Sequence, residues 1–267
     1  MSKLDADAIR QLTGGAATAR LSDFDVFPEI ESTNTYLMQQ DGPPPGQLQV
    51  AVTNNQTMGR GRHGRTWQSP PGSGLCLSLA YTFGVQPTNL PVLTLAIGTG
   101  VIDALESTGV SGVQLKWPND LMVDEGKLGG ILTESRSQPS GEITVVTGVG
   151  INVNLGGYSD LGLDMGATRR VADLAGSADT QPTHEELAAR LIDSLCETFI
   201  DFEANGFARY EQRWSERDWL LGRELVVDTQ QQQVAGTGAG IADDGALLID
   251  TGKGVIRRIM TGSVVLA

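Results

Sequence analysis

Histidine, cysteine and lysine are scarce in this chain, and each shortage closes a class of function. Only two histidines, His63 and His184, occur in 267 residues. Neither has cysteine or histidine neighbours at metal-ligand spacing, which excludes a structural zinc site. A Ser-His-Asp hydrolase would have to use one of the two, and there is no Gly-x-Ser-x-Gly elbow to meet it. Cys76 lies in an apolar alternating run and Cys196 in a helical one, settings that bury thiols as inert core residues. No window reaches the ~18 consecutive apolar residues of a membrane helix. The nearest, Leu90 to Leu105, is interrupted by Gly98, Gly100 and Asp103, and the first seven residues lack the apolar core of a signal peptide. The expectation is a soluble, cytoplasmic protein. Its 40% hydrophobic content excludes wholesale disorder, and 32 acidic against 19 basic residues, a net −13, disfavour binding to DNA or other polyphosphate surfaces.

The patterning predicts an α+β chain. A short helix is expected near Asp5 to Leu12, followed by a small-residue linker at Gly14–Ala17, and a strand over Phe24–Glu31. Ser32 reads as the N-cap of a helix running to Gln40, stopped by Asp41-Gly42-Pro43-Pro44-Pro45. Strands follow at Leu48–Thr53 and Leu75–Phe83, the latter apolar on both faces, with a glycine-rich stretch of no regular period between them. A helix over Leu90–Ser107 precedes strands at Val113–Lys116, Leu121–Val123, Gly130–Ser135 and Ile143–Gly148, the last two joined by a turn at Pro139-Ser140-Gly141. Thr183 and Glu186 form a capping box for a long helix whose stripe is Leu187, Leu191, Leu195 and Phe199. A second helix spans Phe207–Trp214. From Leu221 the texture changes to five short strands with glycine turns, the size of a small β-barrel. The expected domains are therefore 1–220 and 221–267.

The sharpest feature is a charge anomaly. From Gly42 to Ile102 this acidic chain has no acidic residue, and its only charges there are Arg60, Arg62 and Arg65 of Gly59-Arg60-Gly61-Arg62-His63-Gly64-Arg65-Thr66-Trp67. Guanidinium forks with interleaved glycines suit a phosphate or carboxylate. The same loop matches Gly-x-Gly-x-x-Gly, but Pro70-Pro71 follow where a helix is needed and no acid occurs before Asp103, so a dinucleotide fold is rejected. Only four of the nineteen basic residues are lysines, yet Lys116 opens Lys116-Trp117-Pro118-Asn119-Asp120 and Lys127 lies in Gly126-Lys127-Leu128-Gly129-Gly130. Such placement in an arginine-preferring chain points to a compact point charge. Pro118 breaks the strand and leaves Asn119 and Asp120 at a turn, where the carboxylate of Asp120 could hold Mg²⁺, orient a nucleophile, or be an ordinary turn aspartate.

With these segments goes Glu31-Ser32-Thr33-Asn34, and after them Gly148-Val149-Gly150-Ile151-Asn152-Val153-Asn154. In this order they resemble the biotin–protein ligases, from about Phe24 to the C-terminus. The resemblance implies a mixed sheet with flanking helices, related to class II aminoacyl-tRNA synthetases, followed by an SH3-like β-barrel. It implies a ligase that uses ATP, with Mg²⁺, to convert biotin to biotinyl-5′-AMP and then modifies a lysine on a biotin carboxyl carrier domain. By similarity, Ser32, Thr33, Asn34 and Gln56 hydrogen-bond the ureido ring and its surroundings, and Arg60, Gly61 and Arg62 close over biotin and phosphate. Lys127, beside Gly130, meets the carboxylate and α-phosphate, and Trp67 packs on the ligand or orders the loop. Asn119 and Asp120 serve Mg–ATP, Asp120 assists the amine, and Asn152 and Asn154 lie on the nucleotide side. Lys127, Arg62 and Asp120 are thus the implied catalytic set, and His63 is given no role.

One branch of that family carries an N-terminal DNA-binding domain. The twenty or so residues before the first strand are too few for one, so the expectation is a ligase without a repressor domain and with no DNA partner. The sequence leaves room for a homodimer. Two rivals stay open: a lipoate–protein ligase, whose arginine–triple-glycine signature is missing here, and a non-catalytic module that binds an anionic ligand.

Overall fold

The computed structural model describes residues 4–68, 70–137, 141–156, 170–177, 181–229 and 231–267. Helices α1 (Ala6–Leu12) and α2 (Gly15–Thr18) lead into β1 (Leu21–Phe27), α3 (Thr33–Gln39), β2 (Leu48–Thr53), β3 (Gly74–Phe83) and α4 (Leu93–Ser107). Four strands follow: β4 (Val113–Lys116), β5 (Asp120–Val123), β6 (Gly126–Ser137) and β7 (Ile143–Asn152). Then come α5 (Leu174–Ser177), α6 (His184–Asn205), α7 (Ala208–Ser215), and the tail strands β8 (Glu224–Asp228), β9 (Gln233–Ile241), β10 (Leu247–Asp250), β11 (Ile256–Ile259) and β12 (Ser263–Leu266).

The first seven strands form one mixed sheet, ordered β1-β2-β3-β7-β6-β5-β4. Only the β1–β2 pair is parallel. The expected α+β class and mixed, helix-flanked sheet are therefore present. Alternation explains why β3 reads as apolar on both faces. Leu75, Leu77, Leu79, Tyr81 and Phe83 join the main core with α4 and α6, whereas Ala80 belongs to a small second cluster under α3 with Leu37, Ala51 and Val146. The predicted capping box is formed, with Glu186 N–H donating to Thr183 Oγ1 and Thr183 N–H to Glu186. The Leu90–Ser107 segment is long and apolar enough to cross a membrane by length and composition, but here it is mostly buried, packed between the sheet and α6.

Several expectations are corrected. β1 starts at Leu21 because Leu21 pairs with Leu48, and it stops at Phe27. The Gly14–Ala17 linker contains the turn of α2, held by Gly14 N–H donating to Asp193. Pro139 and Ser140 lie outside the described residues, although pairing of Ser137 with Ile143 makes the antiparallel hairpin plain. The SH3-like β-barrel is not formed. The tail is an open five-stranded sheet, ordered β11-β10-β9-β8-β12, and its edge strands β11 and β12 do not pair with each other. Strand count and spacing were legible, but closure requires edge strands in matching register, a non-local condition.

The other face of the large sheet is shaped by what its strands omit. Gly148 and Gly150 of β7 share a face with Ser78 and Cys76 of β3, through the pairs Ser78↔Gly148 and Cys76↔Gly150. A Cβ at Gly148 would stand 2.2 Å from Asn34 Oδ1, and one at Gly150 would stand 2.5–2.8 Å from the indole of Trp67. Two missing side chains therefore open a trough in which Asn34 and Trp67 lie directly on the sheet. The connector from α7 to the tail runs beside β4, with Leu115 N–H donating to Arg217 O and Trp219 N–H to Leu115 O. It buries Asp218, whose Oδ1 accepts from Leu220 N–H while Oδ2 has no hydrogen-bond partner among the described residues.

Two outcomes follow. Burial pushes the Asp218 carboxyl up to about 6, against two backbone N–H bonds that pull it down. A carboxyl raised in the folded state favours folding below its unfolded value of roughly 4 and loses that contribution as pH rises through the folded value. Asp218→Asn is therefore expected to stabilise the fold by roughly 1–2 kcal/mol at pH 7.5, with no gain near pH 4. Thermal unfolding at the two pH values checks this, and an equal effect at both would refute the burial argument. Gly150→Ala should displace the Trp67 ring, seen as a red-shifted tryptophan emission and faster trypsin cleavage at Arg60, Arg62 and Arg65. An unchanged spectrum with unchanged cleavage would mean that the ring does not need the trough.

Candidate active site

A single cavity lies over this trough and collects nearly all the residues singled out in the sequence. Ser32, Thr33, Asn34, Gln56, Arg60, Gly61, Arg62, Trp67, Asn119, Asp120, Lys127, Gly130 and Asn152 all line it; Asn154 does not. Register explains how distant segments meet. Cys76 pairs with Gly150, Gly150 with Gly130, Gly130 with Asp120, and Asp120 with Lys116. Paired residues share a face, so one row crosses five strands from a thiol through two glycines to a carboxylate and an ammonium.

Lys127 reaches that face by a bulge. Leu121 pairs with Gly129 but Met122 pairs with Lys127, so Leu128 is the extra residue. Plain alternation would put Lys127 on the side of Gly129, away from Asp120. The extra residue reverses its direction, a common use of bulges. Its Nζ then lies 2.6 Å from Asp120 Oδ1 and 5.7 Å from the Trp67 ring centroid. The backbone of Lys127 is fixed by Arg170 and Ala172, and Asn152 Nδ2 donates to the carbonyls of Lys127 and Ala172. Asn152 thus braces the lysine strand.

At the other end a polar network orders the start of α3. Ser32 Oγ accepts from Thr35 N–H as the predicted N-cap. Gln56 Oε1 accepts from the Thr33 N–H at 2.8 Å, leaving Nε2 as that amide's donor. Asn34 is fully committed: its Nδ2 donates to Leu132 O and Glu134 Oε2, and its Oδ1 accepts from Ser78 Oγ. It therefore holds the floor together rather than presenting a free amide. Sequence reasoning missed Glu134 and Ser78, since only their spacing across strands reveals them.

The loop from Gly59 to Trp67 is not structureless. Arg60 bridges to Thr66, Gly61 N–H donates to Arg65 O, and Trp67 N–H donates to Gly59 O, around a turn with His63 in the left-handed region at φ 56°. Each arginine is tied to a different element. Arg60 forms a fork with Glu134 of β6, with contacts of 2.8 and 3.2 Å. Arg62 points to Asn119 Oδ1 at the long limit of 3.5 Å, while Asn119 Nδ2 donates to Ile131 O. Arg65 donates to Ser263 Oγ of β12 in the tail. The turn bearing Asn119 follows a cis peptide between Trp117 and Pro118.

The electrostatics are one-sided. Arg60, Arg62, Arg65, Lys116 and Lys127 line the cavity against one carboxylate, Asp120. Burial lowers the Arg62 pKa, Asp120 opposes this, and Arg65 adds to it. Burial likewise lowers that of Lys116, with Asp120 opposing and Lys127 and Arg65 adding. His63, exposed at the loop tip, is lowered by desolvation and by Arg62 and Arg65. No group of three or more histidine, cysteine, aspartate or glutamate side chains suited to a metal occurs among the described residues. Asp120 is paired with Lys127. The arrangement is an anion receptor with an aromatic wall and a hydrogen-bonding end.

Comparison with known proteins agrees. Residues 26–154 match the biotin/lipoate A/B protein ligase family and residues 220–267 match the biotin protein ligase C-terminal domain. The chain is 32% identical to the biotin–[acetyl-CoA-carboxylase] ligase of Mycobacterium tuberculosis, over 93% of this chain and 91% of that protein. It is 32% identical to the bifunctional ligase/repressor BirA of Escherichia coli K12, over 95% of this chain and 75% of that protein. The structure of the biotin protein ligase from Aquifex aeolicus in complex with biotin and ATP superposes with a TM-score of 0.75 at 25% identity, covering 92% of this chain and all of that one. The chain belongs to the biotin–protein ligases.

Proposed function

We propose that the cavity activates biotin with ATP as biotinyl-5′-AMP and then passes the biotinyl group to a lysine of a biotin carboxyl carrier domain. The observation that carries this reading is five cations lining the cavity against Asp120, with Glu134 paired to Arg60 behind it, inside a chain of net −13. A carboxylate and a triphosphate repel each other, and fixed positive charge in a shielded site is what brings them together. The ureido ring belongs at the α3 end, where Ser32 and the Nε2 of Gln56 offer polar groups. Asn34 supports that end through Ser78 and Glu134. The bicyclic body lies against Trp67, which places the carboxylate beside Lys127.

In the first step a carboxylate oxygen attacks the α-phosphorus and pyrophosphate leaves. Lys127 and Arg62 stabilise the charge at that centre, and the Asn119 turn faces the nucleotide. Mg²⁺ enters with ATP as part of the substrate, held chiefly by phosphate oxygens, with Asp120 the one carboxylate in the cavity wall to meet it. In the second step the ε-amine of the acceptor attacks the acyl carbon and AMP departs. That amine is mostly protonated at neutral pH, with an ordinary pKa near ~10.4, and Asp120 is the acceptor positioned to take its proton. We read residues 1–220 as the catalytic domain and 221–267 as a domain that supports the arginine loop through Ser263. In this reading the protein acts in the cytoplasm.

Pyrophosphate release from ATP is expected with biotin and not with lipoate. Release with lipoate alone would move the site to the sister activity, and silence with both would reduce it to a binding module. Lys127→Ala removes the ammonium at the reacting carboxylate and leaves Asp120 without its partner. It is expected to lower biotin-dependent release by about 100- to 1000-fold, as loss of one preorganised charge does elsewhere. Release within a few-fold of wild type would remove Lys127 from the mechanism.

A further inference from the structure

Two parts of the site meet on the carboxylate of Glu134. Its Oε1 accepts from Arg60 Nη2 at 2.8 Å, and its Oε2 accepts from Arg60 Nη1 at 3.2 Å and from Asn34 Nδ2 at 3.1 Å. The other hydrogen of Asn34 Nδ2 goes to Leu132 O. A carboxylate and a carbonyl only accept, so together they fix which way the Asn34 amide lies, with Oδ1 toward Ser78. Protons can then be counted along the series. Ser78 Oγ lies 2.7 Å from Asn34 Oδ1 and 2.7 Å from Thr33 Oγ1. Asn34 Oδ1 has no hydrogen to give, so the single hydroxyl hydrogen of Ser78 is spent on it. The contact between Ser78 and Thr33 is therefore made by the Thr33 hydrogen, in preference to the longer 3.1 Å contact with Gln56 Oε1. Thr33, Asn34 and Ser78 are all buried, which keeps bulk water from scrambling this order. Toward a ligand in the cavity that it lines, Thr33 Oγ1 is left with lone pairs only. Ser32 Oγ already accepts from Thr35 N–H and Gln56 Oε1 from Thr33 N–H, so a hydroxyl hydrogen and an amide donor remain beside that acceptor.

We propose that Glu134 is a positioning residue for substrate choice: from behind the cavity wall it sets the direction of this hydrogen-bond series and so makes Thr33 an acceptor for a ureido N–H. This rests on the ligase reading above. A cyclic urea carries one carbonyl acceptor and two N–H donors, which complements an acceptor set beside donors. A dithiolane ring, as in lipoate, offers no such group. A ring with oxygen in place of the N–H would set two acceptors against each other at Thr33, and a buried mismatch of that kind is costly. Arg60 supplies the other half of the device, since its fork holds the Glu134 carboxylate where Asn34 can reach it.

The test compares biotin with its two cyclic carbamate analogues, each with one ureido N–H replaced by a ring oxygen, as substrates for pyrophosphate release by the whole protein. Glu134→Gln can accept from Arg60 or from Asn34 but not from both, and its own amide hydrogens let the series reverse. It is expected to raise the KM for biotin about 10-fold and to narrow the preference for biotin over the carbamates about 10-fold, with kcat and the KM for ATP within about twofold of wild type. Ser78→Ala, which returns the Thr33 hydrogen, should narrow the preference in the same way. Arg60→Ala leaves the accepting carboxylate beside Asn34 and should retain the preference. A preference that survived Glu134→Gln, or a wild-type protein that used biotin and both carbamates alike, would overturn the proposal. So would a joint rise of both KM values with a fall in kcat, the mark of a general brace. If wild-type protein itself released no pyrophosphate with biotin, the ligase reading would fall and take this one with it.

Discussion

The structure turns on keeping like charges together. Two lysines and three arginines line one cavity, with Asp120 among them and Glu134 paired to Arg60. At an effective dielectric near 20, two unit charges a few ångströms apart repel by several kcal/mol, so such a cluster does not assemble by attraction among its members. It is imposed by the scaffold. The sheet fixes Lys116 and Asp120 through one register pair, the bulge at Leu128 turns Lys127 toward them, and three separate anchors hold the arginine loop. The cost of the cluster is met by the core on the opposite face of the same strands, where Leu115, Leu121, Ile131 and Val149 are buried. Alternation thus assigns stability to one face of the sheet and chemistry to the other.

Much of this was legible in the sequence because it is local or compositional. The Ser32 cap, the Thr183–Glu186 box and the strands β2 and β3 follow from patterns within a few residues. The acid-free stretch from Gly42 to Ile102 marked the arginine loop without any structure, and the two isolated lysines marked the opposite wall. What stayed hidden depends on pairing between distant segments. Nothing local says that Asn34 would spend both its amide hydrogens on Leu132 and Glu134, or that Gly148 and Gly150 are small to admit Asn34 and Trp67. The direction of Lys127 depends on counting one extra residue in β6, which only the partner strand reveals. The barrel expected of the tail failed for the same reason, since its five strands were countable but the pairing of β11 with β12 was not.

The loop's three anchors also set how the site answers to a ligand. The Arg60–Glu134 pair is about half exposed on the arginine side, and such pairs contribute little net stability in water. Its value lies in direction: Glu134 also accepts from Asn34, so the loop and the polar end of the cavity share one carboxylate. Arg62, deeper in the cavity, has among the described residues one long hydrogen bond, to Asn119, and its charge is disfavoured by burial and favoured by Asp120, so it gains from an incoming anion. The loop can therefore be shaped before a ligand arrives while keeping its strongest unspent interaction for that ligand.

The same contrast orders the two steps. Outside the cavity the surface is acidic, and non-specific polyanions are repelled over roughly a Debye length, about 8 Å at physiological salt. Inside, low-dielectric walls focus the field of the five cations, so a small anion that fits gains more than its charge would in water. Pyrophosphate leaving the cavity passes from this positive interior to a negative exterior, which favours its departure only after its contacts with the wall are broken. The neutral ring of biotin and the charged phosphates thus need opposite environments within one small volume. The cavity holds both kinds of wall, a glycine trough with an indole and a charged row from Asp120 to Lys116.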